Sequence, residues 1–391
     1  MKIRKISGSE RFDAYLISTY CFHERIEDVE AQRERVEAET IEDWGAFAED
    51  GTLMARIINN HFQLFVDGQP VQAGGIGAVS TLPEYREGGA VREIFRELLQ
   101  EGYRRGEVIS ALYPFKQAFY RKQGYEVVTF QSNYEFRPAV LSEYSFDGTV
   151  TRWNPGEKVD AYLKIYNQFA ANYNFAMLRD ESSMLEHMKV KQLYKERKFS
   201  YLFSKNGENI GYLIFTDVRS DPAAILHVEE SAWINREGFY AILGFLSRFE
   251  ADYGKIQLPL PHGIDLLRII RSPRAYEIHK TCRHDFMVRV MNAKKLLELI
   301  RKPADCDFTI RVTDELIPEN NGVWRVTGDS VEVCDTSMPD LVVSQRALGQ
   351  MAMGCINPDE AMLRPDVEVC GKEEMLRRVF VEKKIFMGEH F

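Results

Sequence analysis

The stretch 73-AGGIGAVSTLPEYREGGAVREIF-95 decides the reading of this chain, because in it an apolar strand runs through a tight turn directly into a helix. Backbone N–H groups in the first turn of a helix lack intrahelical partners, and the helix dipole gives them partial positive charge. Such a junction can receive a pyrophosphate without any lysine. Gly88 and Gly89 let the main chain come close to a ligand. Gly74, Gly75 and Gly77 are costly inside a strand and point to a bulge, or to a ligand lying against the main chain. Two other phosphate-binding readings fail. Ser80 stands where a dinucleotide fold needs its third glycine, and no Gly-Lys-Ser/Thr triplet follows.

Outward from this stretch, the first unit (residues 1–149) alternates helix and strand. It has the strand-like MKIRKI, an amphipathic segment around Phe12 to Phe22, the charged helical IEDVEAQRERVEAE, and a hairpin around Asp67-Gly68. A helix is predicted from Ala90 to Arg105. A short strand VISALYP, a helix FKQAFYRKQG closed by Gly124, and a final strand YEVVTFQSNYEFR follow. The second unit (residues 150–285) opens with helical WNPGEKVDAYLKIYNQFAANY, turns at Asn206-Gly207, and continues through ILHVEESAWI into helical GFYAILGFLSRFEADYG. The order strand, strand, strand, helix recurs, which suggests a duplicated fold. The third unit (residues 286–391) mixes strand and helix patterns in a compact α+β module, so the chain reads as α/β and α+β.

A length of 391 residues exceeds what one hydrophobic core usually supports, in keeping with two or three domains. The start of the chain is charged throughout, and no stretch reaches about 18 uninterrupted apolar residues. Neither secretion nor membrane insertion is expected, and a cytoplasmic location is. The six cysteines are scattered without a CxxC pair, which predicts reduced thiols and no metal site. A formal net charge of -9 disfavours nucleic acid and admits cationic partners.

The quoted residues resemble the GNAT acetyltransferase superfamily, whose CoA signature is an apolar strand followed by R/Q-x-x-G-x-G/A at a helix N-terminus. Arg86, Gly89 and the following helix match, and Val91 departs from the small final residue. The segment AFYRKQGYEVV, the duplicated middle unit and the third unit together look like the enhanced intracellular survival (Eis) family over nearly the whole chain. The resemblance implies two GNAT-like domains in tandem, the first active and the second without a CoA motif. The helix after Trp233 is preceded by INREG rather than a full signature turn, which agrees. It also implies a sterol-carrier-protein-like C-terminal domain, a hexameric assembly and acetyl-CoA as co-substrate. Main-chain groups at Val79, Ser80 and Thr81 would hold the pantetheine arm. Arg86 and the amides of Glu87, Gly88, Gly89, Ala90 and Val91 would hold the pyrophosphate.

Amine acetylation needs a neutral amine, donors for the tetrahedral oxyanion, and an acid for the departing thiolate. By resemblance Tyr120 is the acid; a tyrosine with a solution pKa of about 10 stays protonated at neutral pH. Tyr125 is the aromatic residue just after the glycine of FYRKQGYE. The resemblance further implies that the α-carboxylate of Phe391 reaches the active site as the base. EKKIFMGEHF ends in aromatic and apolar residues, which is compatible with docking of the tail. Phe22 and Glu24 fall near the family's substrate-pocket positions, and His390 would lie near the chemistry if the tail docks. Acidic Glu24, Glu27 and Asp28 would favour a polycationic amine, against the plain alternative of a solvated helix face.

The expected activity is direct acetyl transfer from acetyl-CoA to a primary amine of a cationic small molecule, with aminoglycosides as the implied class. Two rivals stand beside it. One is a lipid carrier built on the third unit, and the other is acetylation of a peptide or protein amine through the same cofactor site.

Overall fold

The computed structural model describes residues 1–189, 197–220, 223–270, 277–284 and 286–389. Two sheets share one strand pattern. In the first, the order is Lys2–Lys5, Glu42–Phe47, Leu53–Val66, Gln69–Thr81, Ile109–Leu112, Met287–Val290, Glu126–Val127. In the second it is Thr149–Arg152, Lys198–Lys205, Glu208–Ser220, Ala223–Trp233, Lys255–Pro261, Phe130–Phe136, Ile278–His284. Each runs four strands antiparallel, takes a parallel fifth, and resumes antiparallel pairing at the sixth. The duplication expected from the sequence is thus visible as topology.

The sixth position shows something that sequence order did not reveal. Phe130–Phe136, read as the end of the first unit's last strand, pairs with Lys255–Pro261 and Ile278–His284 in the second sheet. Met287–Val290, read as the opening of the third unit, takes the reciprocal place in the first sheet. The chains cross at Val128 and Phe286: Val128 N donates to Phe286 O at 3.0 Å, and Phe286 N donates to Thr129 Oγ1 at 2.9 Å. The sheets therefore do not divide at residues 149 and 285. All four residues of Met287–Val290 are buried, including Arg289, whose guanidinium is held by Asp314 at 2.7 Å.

The third sheet, Val331–Val333, Gly322–Thr327, Asp307–Thr313, Leu341–Ser344 and Val367–Val369, packs with the Gln345–Met353 helix. Its apolar side chains, such as Phe308, Ile310 and Leu341, join Leu64, Val66 and Ile109 of the first sheet in one core. The expected turns form where the sequence placed them. Asp67 and Gly68 have φ of 49° and 83°, and Asn206 and Gly207 have 53° and 82°. The predicted Ala90–Arg105 helix is observed with those bounds, and Gly106 closes it in the left-handed region.

In the Leu53–Val66 strand of the first sheet, His61 bridges two carboxylates, Glu42 at 3.0 Å and Glu107 at 3.3 Å. These hydrogen bonds, led by that to Glu107, raise the imidazole from its usual 6.5 to about 9. A group whose folded pKa is raised adds stability below its unfolded pKa and loses it as pH climbs through the folded value. The Tm of wild type is therefore expected to fall between about pH 6.5 and 9 by an increment that His61→Gln abolishes. Identical Tm-against-pH slopes for the two proteins would contradict this.

Candidate active site

The Gln69–Thr81 strand pairs with its parallel neighbour only as far as Ile76 opposite Leu112. Beyond that point the two diverge, so from Gly77 to Thr81 the strand has a partner on one side only, the Leu53–Val66 strand. The divergence coincides with a bulge: the register against that strand slips between Arg56 and Ile58, and Ala78 has φ of 49°. An open strand edge with unsatisfied main-chain groups can bind an amide-containing arm. The Ser80 side chain turns away toward the Glu10–Phe22 helix, where its hydroxyl meets that of Ser18 at 3.2 Å. The Ser18 hydroxyl accepts from Arg56, and Arg56 is paired with buried Asp43 at 2.8 Å.

The strand leads through a short helical turn, Pro83–Tyr85, into the glycine turn. Glu87 and Gly89 adopt φ of 67° and 80°, and Gly89 is the N-cap of the Ala90–Arg105 helix, with no side-chain cap. Its first-turn amides remain available to an anion. The second unit differs at the matching place. Its Arg236–Leu246 helix is capped by Asn235, whose side chain accepts from Gly238 N at 2.9 Å. A Cβ at Gly238 would stand 2.0 Å from Ile210 O, so that helix end is packed shut. The two helix N-termini therefore differ in how their first-turn amides are met.

A cleft of about 830 Å³ joins these features. Val79, Ser80, Thr81, Arg86, Glu87, Gly89, Ala90 and Val91 line it, with Phe22 on the rim; Gly88 lies in the turn but not on the wall. Sequence reasoning missed Arg92, Lys116, Phe115, Phe119 and Gln123, which line it as well. Arg86, Arg92 and Lys116 against Glu87 give a cationic surplus suited to a polyanion. Gln123 is buried, and its Oε1 has no hydrogen-bond partner among the described residues. These features fit acetyl-CoA. The pyrophosphate would lie at the amides after Arg86 and the pantetheine arm along the open strand edge.

Tyr120 lies in the Gln117–Arg121 helix, behind the cleft wall and 3% exposed. Its ring meets Phe115, Phe119, Phe95 and Tyr125 edge-on. Burial alone pushes its phenol above the usual 10, so it is protonated at neutral pH. The helix closes as expected at Gly124, with Tyr125 N donating to Tyr120 O and Gly124 N to Arg121 O. Tyr125 is fully buried, and its hydroxyl is within 2.7 Å of Ser110.

The predicted substrate residues separate. The Glu10–Phe22 helix stops at Phe22 because His23 turns left-handed, with φ of 57°. Phe22 therefore faces the cleft, and Glu24 lines an adjoining groove with Thr19, Tyr20, His23, Arg25 and Arg86. Asp28 is a helix cap, accepting from Ala31 N at 3.1 Å. This region is not one continuous acidic helix face. His390 and Phe391 lie outside the described residues. The tail is docked as far as Glu389: Ile385 and Met387 are buried, and Phe386 packs on Phe169 and Tyr173. Among the described residues no group of three or more His, Cys, Asp or Glu could hold a metal, and no helix is long and apolar enough to cross a membrane.

Comparison with known proteins agrees with this layout. Residues 2–128 match the acetyltransferase (GNAT) domain model, and residues 293–388 match the sterol carrier protein domain model. An uncharacterized N-acetyltransferase of Streptomyces avermitilis is 22% identical over 312 residues, 74% of each chain. The fold is shared with a GCN5-related N-acetyltransferase from Anabaena variabilis (TM-score 0.86, 21% identity, 100% of both chains). A probable N-acyltransferase from Enterococcus faecalis gives a TM-score of 0.87 at 19% identity, covering 100% of this chain and 99% of that one. Eis1 from Mycobacterium abscessus gives 0.84 at 18% identity over 100% of both chains. The chain is thus an acyltransferase enzyme that carries an acetyltransferase (GNAT) domain at its N-terminal end and a sterol carrier protein domain at its C-terminal end, and it shares its overall fold with Eis1.

Proposed function

We propose that this enzyme transfers the acetyl group of acetyl-CoA directly to a primary amine of a cationic small molecule, with aminoglycosides as the class that the family resemblance implies. The observation that carries the reading is the meeting, in one cleft, of an uncapped helix N-terminus and an open strand edge, with Tyr120 behind the wall. The amides of Glu87 to Val91, with Arg86, bind pyrophosphate; the main chain at Val79, Ser80 and Thr81 orients the pantetheine arm. The α-carboxylate of Phe391 takes a proton from the substrate ammonium. The freed amine attacks the thioester carbonyl and forms the new C–N bond as the C–S bond breaks; the Tyr120 hydroxyl gives its proton to the leaving sulfur, and the second proton that the nitrogen sheds on becoming an amide restores the phenol. Phe22, Glu24 and His390 contact the amine substrate. A cytoplasmic hexamer belongs to the same reading.

The shared core of the first and third units favours this over a free lipid carrier, because apolar residues of the third unit are committed to one core with those of the catalytic unit. Acetyl-CoA turnover with a panel of aminoglycosides, peptides and simple amines tests the substrate class. A chain lengthened by a few residues beyond Phe391 is expected to lose roughly 50- to 100-fold in kcat, since its terminal carboxylate is displaced. Normal turnover by that variant would exclude the terminal carboxylate as base.

A further inference from the structure

The second unit has no open cofactor turn, yet it holds a charge that packing alone would not retain. The Arg179 side chain is fully buried and pairs with Glu230 at 2.7 Å and with Glu389 at 2.6 Å. Its guanidinium also lies 3.8 Å from the centre of the Tyr166 ring. Nη1 and Nη2 donate to the two oxygens of Glu230, at 2.8 and 2.7 Å, and Nε donates to Glu389 at 2.7 Å. The Tyr212 hydroxyl donates to Glu230 and the Tyr166 hydroxyl to Glu389. A buried arginine is tolerated only when its donors are matched in this way.

The placement of the two carboxylates gives the cluster its meaning. Glu230 stands three residues past His227, where its strand loses its parallel partner. Val79, three residues past Ile76, holds the same position in the first sheet and lines the CoA cleft. Both strands bulge here, at Glu229 in the second sheet and at Ala78 in the first. Glu389 belongs to the tail, and the tail runs along this position. A Cβ at Gly388 would stand 3.5 Å from Glu230 Oε2, and Phe386 packs on the same apolar cluster as Tyr212 and Ala232.

We infer that the second unit's counterpart of the CoA groove has become a socket for the chain's tail, in which Arg179 and Glu230 hold Glu389 and so position the residues after it. What those residues then do rests on the proposed function above. A planar guanidinium whose fork is taken by Glu230 leaves Nε in a fixed direction, so Glu389 is located in angle as well as distance. Glu389 is a positioning residue, and the degenerate domain serves catalysis through it.

The test uses the full chain with Glu389→Ala, which leaves the Arg179–Glu230 pair in place, and Glu389→Gln, which keeps an acceptor for Nε–H. The readouts are kcat and KM with acetyl-CoA and the fastest amine of the panel, the rate at which carboxypeptidase releases C-terminal residues, and the Tm rise produced by CoA. Glu389→Ala is expected to lower kcat and speed release, each by roughly tenfold, with the KM for acetyl-CoA and the CoA-induced Tm rise unchanged; Glu389→Gln recovers part of both losses. Wild-type kcat in Glu389→Ala would overturn the inference, whether or not release is faster. A lower kcat with unaltered release would overturn it too, because the residue would then act otherwise than by holding the tail. If Glu389→Ala is impaired in both respects while the lengthened chain turns over normally, the socket stands and the terminal-carboxylate base fails.

Discussion

Tyr120→Phe is expected to lower kcat about 10³-fold while the KM for acetyl-CoA stays within about twofold of wild type. The substitution keeps the ring, so the edge-on contacts with Phe95, Phe115, Phe119 and Tyr125 persist and only the O–H is lost. That O–H is protonated at neutral pH because burial raises its pKa, and in the proposed mechanism it gives its proton to the sulfur as the C–S bond breaks. Its loss therefore falls on a step after binding, which is why kcat and KM separate. Tyr125→Phe is the control. Its hydroxyl is matched with Ser110, so removing it costs about 1 kcal/mol of stability and leaves kcat nearly unchanged. Steady-state thiol release measures both variants. A Tyr120→Phe enzyme within about threefold of the wild-type kcat would take the phenol out of the chemistry.

The local features of this fold were legible because each has a local cause. Gly89 and Gly106 bracket the Ala90–Arg105 helix with left-handed residues, and Asp67-Gly68 and Asn206-Gly207 set hairpins by their own φ values. The exchange of Phe130–Phe136 for Met287–Val290 was not legible. YEVVTFQSNYEFR reads as one strand, and nothing local says that pairing must change sheets at Val128-Thr129. Partner choice is set by burial far along the chain, here the core around Tyr134 and Phe136 and the place left beside Ile109–Leu112. The glycines of this strand point in sequence to a bulge or a bound ligand, and the structure gives Gly74 another reason. A Cβ at Gly74 would stand 2.7 Å from both Asn59 Oδ1 and Glu107 Oε2, so this glycine makes room for polar side chains, while the bulge falls on Ala78. Glu24 lines a groove beside the cleft because His23 ends its helix, and a left-handed histidine carries no sequence signal comparable to glycine.

The strand exchange also explains how a sterol carrier protein domain can matter to acetyl transfer. The segment from Tyr120 to Val127 is held from the third unit. Gln345 Nε2 donates to Gly124 O and Gln350 Nε2 to Val127 O, each at 2.6 Å, and Arg364 reaches Glu126 at 3.5 Å. A Cβ at Gly124 would stand 2.6 Å from Gln345 Nε2, so the turn after Tyr120 is fitted to that domain.

The strongest effect on cofactor binding is expected from Gly89→Asp, which should weaken CoA affinity by about 10³-fold while leaving the fold intact. Gly89 is the N-cap, and its φ of 80° is one that Asp tolerates better than most residues. An Asp there brings a carboxylate next to the first-turn amides, where its charge repels the pyrophosphate. Two or three charge-assisted hydrogen bonds at about 1.5–3 kcal/mol each account for a loss of that size. The left-handed backbone at Gly89 strains any side chain, so Tm without ligand should fall modestly, and CoA titration well below that Tm separates lost binding from lost structure. Asn235→Gly in the second unit is the mirror experiment: it removes a cap but opens no site, because Gly238 is packed against Ile210, and CoA affinity should not change. Calorimetry with CoA decides between these outcomes. Near wild-type affinity in Gly89→Asp would mean that the turn after Arg86 does not bind the pyrophosphate.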